Sequence, residues 1–138
     1  IPYTKSNLVI EYYTGIFKGK SKLENNGIRN TEYLNNEKLW FLDKRFNKRI
    51  KGGESYNDIK KRFLKFYNEK LLKMDLENKN ILIISHAGFL KCALPLVFEN
   101  ISLSFAHAND IRPTDCIVGK INENKKLTCI EWAGKKIC

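Results

Sequence analysis

No apolar run in this 138-residue chain approaches the ~20 residues needed to cross a bilayer, so a membrane-spanning role is excluded as the expectation. Only two histidines are present, His86 and His107. The four cysteines form no C-x-x-C pair and no His/Cys cluster with metal-ligand spacing, so neither a metal nor another cofactor is implied. There is no internal repeat and no low-complexity linker. Acidic residues are the scarcer charge, 15 against 25 basic ones, leaving a net charge of +10. No basic block interleaved with aromatics accompanies that excess. The lysines are spread along the chain among Glu and Asn, which argues against nucleic acid or membrane as partner and suits solubility and anionic substrates.

A hydrophobic content of 43% and an aromatic content of 12% describe a globular chain, and its length allows one domain, residues 1–138. The opening Ile1-Pro2-Tyr3-Thr4-Lys5 has no apolar signal-type core and no Met, so the chain is expected to begin inside a longer product. Cys92 lies in an apolar run, and Cys116 and Cys129 lie in strand-like segments. Buried free thiols are expected at all three, consistent with a reducing cytoplasm. Cys138, at the end, carries no information.

Ile81-Leu82-Ile83-Ile84-Ser85-His86-Ala87-Gly88 is the most informative stretch. Four consecutive branched aliphatics predict a strand at 81–85 buried on both faces, as inside a parallel sheet. The apolar run after Gly88 predicts a helix to about Phe98. His86 then stands where strand gives way to helix, the edge at which open α/β sheets bind ligands. The backbone N–H groups that begin the helix at Ala87 offer a seat for phosphate, and the imidazole could donate to a phosphoryl oxygen. A histidine merely packed in a βα turn is the competing interpretation of the octapeptide alone.

Elsewhere, residues 1–20 read as irregular, and 21–50 as polar and mostly helical with Leu34, Trp40, Phe41 and Phe46 as apolar anchors. Lys51-Gly52-Gly53 is a break. Ser55 with Asp58 forms a capping-box pattern before a helix that places Ile59, Phe63, Phe66 and Tyr67 on one face and Lys60, Lys61, Lys65 and Glu69 on the other. A turn is predicted at 76–80, and His107 is placed in a loop. Cys116–Ile121 and Leu127–Trp132 predict an antiparallel hairpin around the turn at 122–126. The chain supplies no evident parallel neighbours for the strand at 81–85.

Three segments in order resemble the histidine phosphatase superfamily, the phosphoglycerate-mutase-like fold. Glu11-Tyr12-Tyr13-Thr14-Gly15-Ile16-Phe17-Lys18-Gly19 is similar to its Glu-x-x-x-Gly-x-x-x-Gly segment. Gly53-Glu54-Ser55, opening a helix that carries Arg62, and the strand–Ser85-His86-Ala87-Gly88–helix segment are the other two. The resemblance implies an α/β fold with a mixed, mostly parallel sheet flanked by helices, incomplete at its N-terminus here. It implies a phosphomonoesterase working through phosphohistidine on a small phosphorylated metabolite. His86 corresponds to the second, non-nucleophilic histidine, Glu11 to the proton donor, and His86 with Ala87 to phosphate contacts. Arg62, Glu54 and Ser55 are expected to support the site from behind, and residues 20–52 to form a helical insertion on the substrate side.

The departure from that family is the missing Arg-His-Gly segment, which carries the nucleophile. His107 lacks the strand context, and Arg29, Arg45, Arg49 and Arg112 match no phosphate-binding motif. A phosphoglycerate-mutase-like phosphotransferase, and an inactive fragment or pseudoenzyme that binds a phosphorylated ligand, therefore stay open beside the phosphatase. A nucleic-acid-binding domain rests on the +10 charge alone. Absent sheet neighbours would leave an exposed edge prone to homo-oligomer formation.

Overall fold

The computed structural model describes residues 3–21, 27–74 and 79–137. Helix α1 spans Ile28–Phe41, α2 Tyr56–Phe66, α3 Ala87–Ala93 and α4 Leu103–Ala108. Strands β1 (Ile117–Ile121), β2 (Leu127–Trp132) and β3 (Lys135–Lys136) follow. The N-terminal stretch is irregular, as expected, apart from short 3₁₀ turns at Asn7–Val9 and Gly15–Phe17.

Helix α2 begins as its sequence predicts. The Ser55 side chain accepts from the Asp58 N–H, and the Asp58 carboxylate accepts from the Ser55 N–H at 2.9 Å, completing the capping box. Ile59, Phe63 and Tyr67 are buried and Phe66 partly so, while Lys60, Lys61, Lys65 and Glu69 face solvent. A π turn, Tyr67–Leu71, closes the helix.

The core lies where α1, α2, α3 and β2 converge. Trp40, Phe41, Ile59, Cys92, Ala93, Cys129 and Trp132 are fully buried. Each tryptophan reconciles burial with its polar edge by donating to a carbonyl, Trp40 to Lys48 and Trp132 to Asn109. Phe89 meets Phe63 edge-on at 5.8 Å and so couples α3 to α2. Across the base, Lys91 of α3 and Glu37 of α1 are both buried and lie 3.7 Å apart, with Asp110 completing the cation's partners at 2.7 Å.

The hairpin forms in the expected antiparallel sense, with β3 added at its edge. A mostly parallel sheet is not observed among the described residues. Their only parallel pairing is the isolated bridge Phe98–Leu127, and the α/β character is helices with a small antiparallel sheet. Residues 81–85 are not a strand. They run without a sheet partner, and Leu82 and Ile84 are each 83% exposed. No described segment offers a ladder to this run, and without one its side chains have nothing to be buried against.

Other expectations are also corrected. The helix after Gly88 ends at Ala93 and tightens to a 3₁₀ turn at Leu94–Leu96, where Pro95 supplies no N–H for an α-helical bond. His107 is in α4 rather than a loop. Leu34 points outward from α1 and is exposed. Cys116 precedes β1 and is an exposed thiol, whereas Cys92 and Cys129 are buried ones. The turn predicted at 76–80 falls mostly, and Cys138 entirely, outside the described residues.

Residues of similar hydrophobicity should therefore respond in opposite ways to substitution. Leu82→Ser and Ile84→Ser are each expected to change stability by no more than about 0.5 kcal/mol, as at ordinary surface positions. Phe89→Ala, which opens the α2–α3 contact, should cost about 3–5 kcal/mol. Denaturant unfolding of the three variants measures the contrast.

Candidate active site

The Glu11 segment is held down by backbone contacts at its glycine. Gly15 has φ 59° and lies so close to the Lys51–Gly53 turn that an added Cβ would fall 2.1 Å from the Lys51 carbonyl oxygen. Gly53 is the reciprocal case, with an added Cβ 2.6 Å from the Tyr13 oxygen. Two hydrogen bonds join the backbones, Ile16 N–H to Lys51 O at 3.1 Å and Glu54 N–H to Tyr13 O at 2.8 Å. Only glycine permits such an approach. The first two segments of the family resemblance are thus the two halves of one contact.

Within the segment, neighbouring side chains divide the work. Tyr12 is buried and turns into the core, stacking on Tyr33 at 5.9 Å and meeting Trp40 edge-on at 5.5 Å. Glu11 turns instead to the start of α3. Its Oε2 accepts from the Gly88 N–H at 3.2 Å and its Oε1 from its neighbour Tyr12's N–H at 2.9 Å. The Ser85 hydroxyl donates to the Val9 carbonyl and closes the junction from the other side.

His86 is the N-cap residue of α3, in extended conformation and exposed, as its position between an extended run and a helix predicts. Its charge acts on Glu11, so Glu11, His86 and the first turn of α3 form one group. Burial pushes the Glu11 carboxyl above its ordinary value of 4.5. The donated N–H groups and the His86 charge offset that effect without cancelling it. A half-buried carboxyl with raised proton affinity beside an exposed imidazole is suited to donating a proton and stabilising negative charge.

Arg62 lies in α2, and Glu54 and Ser55 stand at its start. Arg62 and Glu54 form a bidentate pair, Nε to Oε1 at 2.7 Å and Nη2 to Oε2 at 3.1 Å, and Ser55 is fully buried in the capping box. His107 is engaged elsewhere, stacked on Phe41 at 5.6 Å. Arg49 pairs with Asp58, and Arg112 with Asp115. No group of three or more potential metal ligands occurs among the described residues.

Sequence reasoning missed the role of Gly88. An added Cβ there would lie 2.8 Å from the Tyr12 ring and 3.0 Å from both Glu11 carboxyl oxygens. Glycine directly after a helix-starting His-Ala was the available signal, but what approaches it comes from 77 residues earlier. The N–H of Gly88 is consequently taken by a side-chain carboxylate.

The Glu11 carboxyl resonance in an NMR titration should therefore have its midpoint above 4.5, with the Gly88 and Tyr12 amide shifts following it. Because burial raises the folded-state value, net stability is greatest with the carboxyl protonated, below the ordinary value, and falls as pH rises through the folded midpoint, the N–H bonds to the carboxylate offsetting part of that loss. Gly88→Ala should displace the carboxyl, return the midpoint toward 4.5 and uncouple residue 88 from the titration.

Comparison with known proteins gives one match. The family model of the histidine phosphatase superfamily (branch 1) covers residues 1–133. No curated protein and no solved structure matches the chain. The match runs through the glycine-locked Glu11 segment, the Gly-Glu-Ser helix start and the His86 junction together, and on that extent the chain belongs to the histidine phosphatase superfamily, whose chemistry is of the phosphatase and mutase type.

Proposed function

We propose that the chain carries the proton donor and the second histidine of a phosphomonoesterase acting on a small phosphorylated metabolite through a phosphohistidine. The observation that supports this most directly is the Glu11 carboxyl, raised in proton affinity and held by the Gly88 N–H beside the exposed His86. In the first step a nucleophilic imidazole forms a bond to phosphorus as the ester P–O bond breaks. Glu11 gives its proton to the leaving oxygen, releasing an alcohol. Glu11, now a carboxylate, then takes a proton from the water that attacks the phosphohistidine, freeing inorganic phosphate and restoring both groups.

His86 stabilises the charge on the phosphoryl oxygens, with the Ala87 N–H, which as the first helical amide has no acceptor within α3, as a second donor. The nucleophile is assigned to a segment outside these 138 residues, since neither histidine lies in an Arg-His-Gly. The same proposal assigns the 20–52 segment, of which α1 is the described helix, to the substrate side.

Three measurements test the proposal. The 138-residue chain alone should not turn over p-nitrophenyl phosphate; turnover abolished by His86→Ala would overturn the assignment of the nucleophile. In the enzyme joined to its Arg-His-Gly segment, Glu11→Gln should cripple hydrolysis of an alkyl phosphate and hurt an aryl phosphate far less, because the better leaving group needs less protonation. Equal losses would reduce Glu11 to a positioning role. His86→Ala should lower kcat by about 10²–10³ with little change in melting temperature, as for loss of a charge-stabilising donor.

A further inference from the structure

The backbone on either side of Glu11 is gripped by two side chains that do not touch its carboxyl. Arg62 Nη1 donates to the carbonyl of Leu8, three residues before Glu11, at 2.9 Å. Glu54 Oε2 accepts from the N–H of Tyr13, two residues after it, at 2.8 Å. The two grips are joined through the bidentate Arg62–Glu54 pair, whose side chains are only 15% and 23% exposed. The guanidinium also lies 4.6 Å over the ring of Phe89, the residue after Gly88. One assembly thus touches both ends of the Glu11 segment and the first turn of the helix that Glu11 reaches.

We propose that Glu54 and Arg62 are positioning residues, a neutral clamp that sets the Glu11 carboxyl against the Gly88 N–H. The chemical demands explain both residue types. Arg62 must serve Glu54 and the Leu8 carbonyl from one planar fork while stacking on Phe89, which a lysine ammonium cannot do from a single point. Glu54 must accept from Arg62 and from Tyr13 N–H at the same carboxylate, so both of its oxygens are used. Because their charges cancel, the pair orders the segment without placing a net charge behind the acid. Bonding to backbone at Leu8 and Tyr13 leaves those two side chains free to vary. The Ser85–Val9 bond adds a third fixed point on the His86 side. The clamp's catalytic meaning rests on Glu11 being the proton donor, but its existence does not.

The test is the Glu11 carboxyl titration, followed by NMR in the 138-residue chain without substrate. In Arg62→Lys, which conserves charge, and in Glu54→Gln, the Glu11 midpoint is expected to fall toward 4.5 and the Gly88 amide to stop following it. Arg49→Ala is the control, because it breaks an ion pair at the start of the same helix with no bond to the Glu11 segment. It should leave both readouts unmoved. An unchanged midpoint with Gly88 still coupled, in a folded Arg62→Lys or Glu54→Gln chain, would overturn the clamp. Should Arg62→Lys fail to fold, Glu54→Gln decides alone by the same criterion. A shift equal to that in Arg49→Ala would reduce the pair to general stabilisation and also overturn it. No turnover is required, so failure of the proton-donor assignment in the leaving-group experiment remains a separate result.

Discussion

The contact on which the site depends is the backbone-to-backbone docking of Gly15 against the turn at Gly52 and Gly53. Two chains can come this close only where neither carries a side chain, and both positions are glycine. From that contact the chain runs back toward Glu11 at a fixed distance from α2, and the Arg62–Glu54 pair then finds both the Leu8 carbonyl and the Tyr13 N–H within reach. Tyr12 is committed to the core between Tyr33 and Trp40, which turns its neighbour Glu11 toward α3. The carboxyl's position is thus the outcome of constraints that lie almost entirely outside it.

A carboxyl held in this way is a costly element that function would justify. Desolvation penalises its charged form, and the backbone N–H bonds with a nearby imidazole return only part of that penalty. Elsewhere the same fold pairs its buried charges. Lys91 has Glu37 and the exposed Asp110, and either buried member, Lys91 or Glu37, would be strongly destabilising if left alone. Glu11 has no cation bonded to it at comparable distance in the described contacts, only amides. That contrast within one molecule separates a carboxyl of raised proton affinity from an ion pair that fastens two helices.

Legibility from sequence followed the range of the interactions. The capping box at Ser55 and Asp58, the apolar face Ile59–Phe63–Tyr67 and the 117–132 hairpin are set by residues within a few positions of each other, and they form as read. His86 at the junction into α3 was equally legible, because a polar residue and a glycine follow an aliphatic run. The run itself was misread. Ile81–Ile84 has the composition of a doubly buried strand, but burial is a property of what surrounds a segment, and no described strand pairs with it. His107 in α4 is misplaced for a smaller reason, since a six-residue helix leaves too little periodicity to detect, and α3 ends early at the 3₁₀ turn that holds Pro95.

By itself, then, the sequence determined the chemistry on offer: one histidine at a helix start, an acid in a glycine-punctuated segment, and an Arg-bearing helix opened by Gly-Glu-Ser. Those are matters of residue type and local spacing. Tertiary structure decided which of them meet. It brought Glu11 to Gly88 across 77 residues and Arg62 to Leu8 across 54, contacts that no local pattern encodes. It also decided that the carboxyl, identical in sequence to any solvated glutamate, is desolvated enough to hold its proton more tightly. Proton affinity depends on the dielectric surroundings and the donors in space, and those exist only once the chain has folded.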